Sequence, residues 1–223
     1  MEDNFYNNYF PEVLSYISSK TQTQRGKFCN HQKLLNDSIH RIFEFSKLGI
    51  VPETVAQLAC NYLVNLLHKK DIPGASRLGL IEKVCVSLAC KYSQTVHISE
   101  LNIPPYLVRA VELWVLENLD WKLDIPTPGE LVVCMLKLAN LTEVNGIVPF
   151  CYQIIEKTYK CSVLREFSAP VIAAGSVSLA LKELSNRKEQ DVWNSFLETK
   201  AQISSQELKE FIMIFESSEP QNN

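Results

Sequence analysis

Gly74 and Gly79 stand at the spacing of a phosphate-binding loop, in which backbone N–H groups cradle a nucleotide while a following lysine reaches its phosphates. Leu80 and Ile81 occupy the places where that chemistry needs lysine and serine or threonine, so the stretch reads as a loop entering a helix. The four histidines (31, 40, 68 and 97) are scattered, with no H-E-x-x-H and no His/Cys set at metal-ligand spacing, so no metal site is expected. G-x-S-x-G is absent, and the carboxylates fall mostly on helix faces beside lysines, where a solvated role is the default. Seven cysteines (29, 60, 85, 90, 134, 151 and 161) form an odd set without a C-x-x-C pair and read as small buried hydrophobes in a reducing compartment. The residue types therefore predict a protein that is not an enzyme, with no cofactor.

The bulk composition narrows the alternatives. The chain has 223 residues, 46% hydrophobic and 21% charged, which suits one large domain or two packed modules of about 100 residues each. A net charge of −3 and a pI near 5.9 supply no basic field, so direct nucleic-acid binding is not expected. No apolar run approaches about 18 residues, and Met1 to Phe10 lack an apolar core, so neither a membrane span nor a secretory signal is expected.

A near-repeat sets the architecture. Val86-Ser87-Leu88-Ala89-Cys90-Lys91 returns, with one change, as Val177-Ser178-Leu179-Ala180-Leu181-Lys182. Each copy lies in an apolar stretch of helical period, with small residues where a central helix lets its neighbours approach. Leu34 to Phe45, ending near Gly49, and Glu53 to Leu66 predict the first helices after a polar arm at 1–31 that carries a short amphipathic piece, Pro11 to Ser18. Arg77 to Ser93 predicts a buried central helix; a short segment from His97 to Ile103 follows, then a helix over Tyr106 to Leu119. Asp120 to Pro128, with prolines at 126 and 128, predicts an extended joint. Beyond it, Glu130–Ala139, Ile147–Lys160, Ser168–Leu184, Asp191–Lys200 and Ser204–Phe215 predict five more helices, and no strand pattern is present. The reading is an all-α chain of tandem five-helix modules: an arm at 1–31, modules at 32–125 and 126–216, and a tail at 217–223.

In this order and spacing, specific segments resemble the cyclins, whose fold is two tandem cyclin boxes. Leu58-Ala59-Cys60-Asn61-Tyr62-Leu63 resembles the signature of the second cyclin-box helix, and Leu88-Ala89-Cys90-Lys91-Tyr92 the Leu-Ala-Ser-Lys stretch of the third. Glu112 to Leu119 resembles the fifth helix, Asp120 to Pro128 the linker ending in Pro-Thr, and Phe167 to Ala174 the third helix of the second box. The resemblance covers roughly residues 32–216. It implies a non-catalytic subunit that binds a cyclin-dependent kinase beside its mobile C-helix and holds that helix in the active position.

In the family a lysine of the third helix and a glutamate of the fifth contact the kinase. The matching residues are Lys91 and Glu112, with Leu88, Tyr92 and Leu116 as the apolar part of that surface. From pattern alone Lys91 is a snorkelling residue and Glu112 a solvated one; Leu88, Tyr92 and Leu116 fit the core equally well.

Departures accompany the likeness. Leu35 and Val64 stand where typical cyclins pair a buried arginine with an aspartate, and an apolar pair can replace such an ion pair without loss of stability. Leu34, Ser38 and Arg41 replace the methionine, leucine and tryptophan of the substrate-docking patch, which is therefore expected to be degenerate. Ser93-Gln94 replaces the acidic pair after the lysine.

Without the docking patch, and with Lys91-Tyr92-Ser93 at the end of the third helix, the chain resembles the cyclin N-terminal domain-containing proteins, a group that includes meiotic crossover-promoting factors. That implies a nuclear location, with cytoplasm as the alternative, and recombination proteins as further partners. Two other readings stay open: a cyclin-fold scaffold in meiotic recombination that activates no kinase, and a transcription-factor-like box, which the acidic balance opposes.

Overall fold

A computed structural model describes residues 32–69, 75–95, 105–184, 187–201 and 203–218, and all its regular elements are helical. The amphipathic piece at 11–18, the segment at 97–103 and the tail beyond 218 lie outside the described residues. The chain divides between Thr127 and Pro128 into two compact units. The sequence placed the junction at 125/126.

The first unit contains α1 (Gln32–Lys47), α2 (Glu53–Lys69), α3 (Ala75–Tyr92) and α4 (Pro105–Asn118). α1 buries Leu35, Ile39, Ile42 and Phe43, spaced three and four apart so that they share one stripe. Gly49, at φ +70, ends the helix in the left-handed conformation that glycine adopts without a Cβ penalty; its N–H bonds Ser46 O at 2.9 Å. α2 and α3 both pack against the unit's other three helices, so the predicted central position of the repeat-bearing helix is shared between them. α3 buries Val84, Cys85, Val86, Ala89 and Cys90, as its missing polar stripe implied. Of the pair of family-divergent positions, Leu35 is fully buried and Val64 half-buried.

The linker runs without regular structure from Lys122 to Thr127. Tyr62, buried on α2, donates its hydroxyl to Leu123 O at 2.8 Å and ties the start of this segment to the first unit. Pro128 does not delay the next helix but opens it. At the first helical position the missing N–H costs nothing and the fixed φ is already helical.

The second unit contains α5 (Pro128–Leu138), α6 (Ile147–Lys160), a 3₁₀ turn (Leu164–Glu166), α7 (Ala169–Leu184), α8 (Arg187–Thr199) and α9 (Ser205–Ser218). α7, which carries the second copy of the repeat, packs against α5, α6, α8 and α9. Its small residues permit that crowding. A Cβ on Gly175 would lie 2.2 Å from Cδ1 of Phe211 on α9, so the ring occupies space that only glycine leaves open. Ser178 Oγ accepts the indole N–H of buried Trp193 at 2.8 Å, which docks α8 on the same helix. α8 starts four residues before the predicted Asp191, because Arg187 to Gln190 are polar and carry no apolar periodicity to announce the first turn.

Candidate functional site

Lys91 stands in the last turn of α3 and Glu112 in the middle of α4, and the packing of these two helices brings them together. The Lys91 ammonium donates to Glu112 Oε1, and Ser87, one turn earlier on α3, reaches the same oxygen at 3.5 Å. The lysine side chain is 50% exposed and the carboxylate only 14%. The pair thus presents an anchored positive head at the surface over a carboxylate held from below. An ion pair this open contributes at most about 1 kcal/mol to stability.

The other expected residues divide. Tyr92 is exposed and Leu116 half-buried, so both can meet a partner. Leu88 cannot do so to the same extent: at 6% exposure it belongs to the core of the unit. Leu113, which the sequence did not single out, is exposed beside Glu112 and adds the apolar surface that Leu88 lacks. It lies in the apolar run from Leu113 to Leu116, so no local pattern distinguished it from Val115, which is buried.

Trp121, also not anticipated, is 63% exposed at the end of α4. It and Asp120 occupy consecutive left-handed conformations, with φ of 58 and 55. Non-glycine residues there carry strain that surrounding contacts must offset. Lys69 on α2 provides such contacts, donating to Asn118 O at 3.1 Å and to Asp120 Oδ2 at 2.6 Å. The hydrogen bond and the charge of Lys69 hold the Asp120 carboxyl below the usual carboxylate range.

The substrate-docking positions do not form an apolar surface. Leu34 is half-buried and Ser38 fully buried, while Arg41 reaches across to α3. Its Nε donates to Glu82 Oε1 at 3.2 Å and Oε2 at 3.1 Å, and its Nη2 donates to Glu82 Oε2 at 2.7 Å and to Ser38 Oγ at 2.9 Å. Glu82 is almost fully buried. Hydrogen bonding to Glu82 raises the Arg41 pKa above its already high ordinary value. The groove beside the pair, about 550 Å³, is lined by Phe45, Leu48 and Leu80 along with charged side chains.

The repeat also duplicates the ion pair. Lys182 ends the second copy as Lys91 ends the first, and it pairs with Glu216 on α9 at 2.6 Å. In each unit, then, the lysine closing the repeat bonds a glutamate on the last described helix. This second pair is exposed on both sides, at 64% and 45%. Among the described residues, no cluster of histidine, cysteine or carboxylate side chains is arranged to hold a metal ion, and no helix is long and apolar enough to cross a membrane.

A family model described as the cyclin N-terminal domain matches residues 9–124, just over half of the chain. The chain belongs to the cyclin family. This cyclin also resembles in fold a viral cyclin from herpesvirus saimiri, with a TM-score of 0.70 and 16% sequence identity over 96% of this chain and 95% of the viral one. No curated protein matches it by sequence. The all-helical architecture of two units follows the cyclin plan, and this cyclin is a cyclin-like regulatory protein.

Proposed function

We propose that this cyclin binds a cyclin-dependent kinase through the face of α3 and α4 that carries Lys91, Glu112, Tyr92, Leu113 and Leu116. The observation that supports this reading is the open ammonium of Lys91, fixed by a mostly covered Glu112, with exposed Tyr92 and Leu113 next to Lys91 and Glu112 in the chain. A lysine head so placed reads a backbone carbonyl or carboxylate on a partner helix, while the apolar residues around it exclude water. Binding that favours the active kinase conformation over the inactive one shifts the kinase population toward activity.

The test is the double charge reversal Lys91→Glu with Glu112→Lys, assayed against a panel of recombinant cyclin-dependent kinases. Loss of binding at unchanged helicity and melting temperature supports the face; full binding by the variant rejects it. The nuclear location and a role beside meiotic recombination proteins rest on the resemblance carried by the degenerate docking positions Leu34, Ser38 and Arg41 together with the Lys91-Tyr92-Ser93 stretch. Affinity purification from meiotic and dividing cells tests them: a kinase recovered in dependence on Lys91 and Glu112 marks a working cyclin, and recombination proteins recovered without a kinase mark a scaffold.

A further inference from the structure

Four of the ten glutamines directly follow a serine or threonine, although those two types supply only 27 of 223 residues. Two of these dipeptides, Ser93-Gln94 and Ser205-Gln206, lie among the described residues, both exposed and both at helix ends. Their electrostatic settings are opposite. Ser205 opens α9, where the positive end of the helix dipole would welcome a phosphate. Ser93 follows the last residue of α3, where the dipole is negative and added charge is disruptive.

Ser93 is also the one that adjoins the candidate site. It is two residues past Lys91 and one past Tyr92, in a run from Lys91 to Thr95 whose side chains are all exposed. The backbone closes the helix there: Ser93 N–H bonds Ala89 O at 3.0 Å, and Gln94 N–H bonds Lys91 O at 3.3 Å. Gln94 sits at φ 51, a left-handed conformation that a non-glycine side chain disfavours, so opening this turn to enter a modifying enzyme relieves strain.

We propose that Ser93 is a phosphorylation site for a glutamine-directed protein kinase and that phosphate there weakens the α3–α4 binding face. In the step, Ser93 Oγ attacks the γ-phosphorus of ATP; a P–O bond to serine forms, the bond to ADP breaks, and the hydroxyl proton passes to the modifying enzyme. The product carries a charge of about −1.5 to −2 at neutral pH. That charge competes with Glu112 for the Lys91 ammonium and repels the carbonyls that end α3, so the lysine loses its fixed position. The regulatory part rests on the proposed kinase-binding face, whereas modification of the serine does not.

The experiment treats the full chain with ATP and a purified glutamine-directed kinase, locates phosphate by mass spectrometry, and compares the modified and unmodified chains for binding to the recombinant cyclin-dependent kinase panel. Phosphate is expected at Ser93, lost in both Ser93→Ala and Gln94→Ala, with binding about tenfold weaker after modification, the size of one lost charge-assisted contact. A full chain unmodified at Ser93 while a peptide spanning 88–99 accepts phosphate overturns the site, because the folded turn then hides it. Equal binding by both forms overturns the regulation. If neither form binds any kinase, the binding-face reading fails and the regulation with it, while phosphate at Ser93 still establishes the modification.

Discussion

Arg41 on α1 holds the buried carboxylate of Glu82 on α3 with its Nε and Nη2 and steadies itself on Ser38 Oγ. The guanidinium is half in water and the carboxylate is not, so the two ends of this contact carry unequal risk.

Removing the arginine leaves Glu82 charged and covered. Arg41→Ala is expected to destabilise the fold by about 2 kcal/mol, below the full cost of breaking a wholly buried pair because Arg41 is half exposed. The double variant Arg41→Ala with Glu82→Leu is expected to recover most of that loss, since no charge is then desolvated. Urea denaturation of the two variants checks both statements; equal destabilisation would show that packing, not charge, is what the pair supplies.

Glu112→Ala is expected to lower stability by less than about 1 kcal/mol, because its partner Lys91 is half exposed. Thermal melting measures it. A larger loss would assign the pair a structural role rather than a place on a binding surface.

Gly175→Ala places a methyl where the Phe211 ring already lies, 2.2 Å from its Cδ1. Overpacking of this kind costs about 1–3 kcal/mol. Phe211→Leu in the same chain should return part of it by vacating the ring volume, and denaturant titration of the single and double variants tests whether the two sites are coupled.

Asp120 gives a pH-dependent signature. Its pKa is lowered in the folded state by Lys69, so the associated stability is present above the unfolded carboxylate value and is lost as pH falls through the lower folded value. In Lys69→Ala the Asp120 titration should move up toward the ordinary range, as followed by NMR of its side-chain carbon. A titration that does not move would mean that Lys69 is not what depresses it.

Thiol reactivity should follow burial. Cys85 and Cys151 are fully buried, which pushes the Cys151 thiol up to about 12 and Cys85 higher still. Iodoacetamide at pH 8 is expected to label half-buried Cys161 in the native protein and to spare these two until denaturant is added. Rapid labelling of Cys151 in the native state would contradict the packing of α6.

The described helices were legible in the residues alone. Apolar spacing of three and four residues marks one stripe of each helix without reference to any partner, and the two copies of Val-Ser-Leu-Ala identify the same small-residue device in both halves. Gly49 and the linker prolines are also local, because backbone conformation at those residues is set by their own geometry. Lys91 and Glu112 were named from family resemblance, since helical pattern alone left them as ordinary surface charges.

Which charges meet follows from how the helices pack. Arg41 and Glu82 are 41 residues apart and Lys182 and Glu216 are 34 apart, so their meeting depends on helix crossings that no periodicity records. The same crossings covered Leu88 and left Leu113 open, although both are leucines on apolar helices. A helix sequence specifies which stripe avoids water; the neighbour that covers the stripe, and how far it reaches around, fixes which residues at its edge remain for a partner.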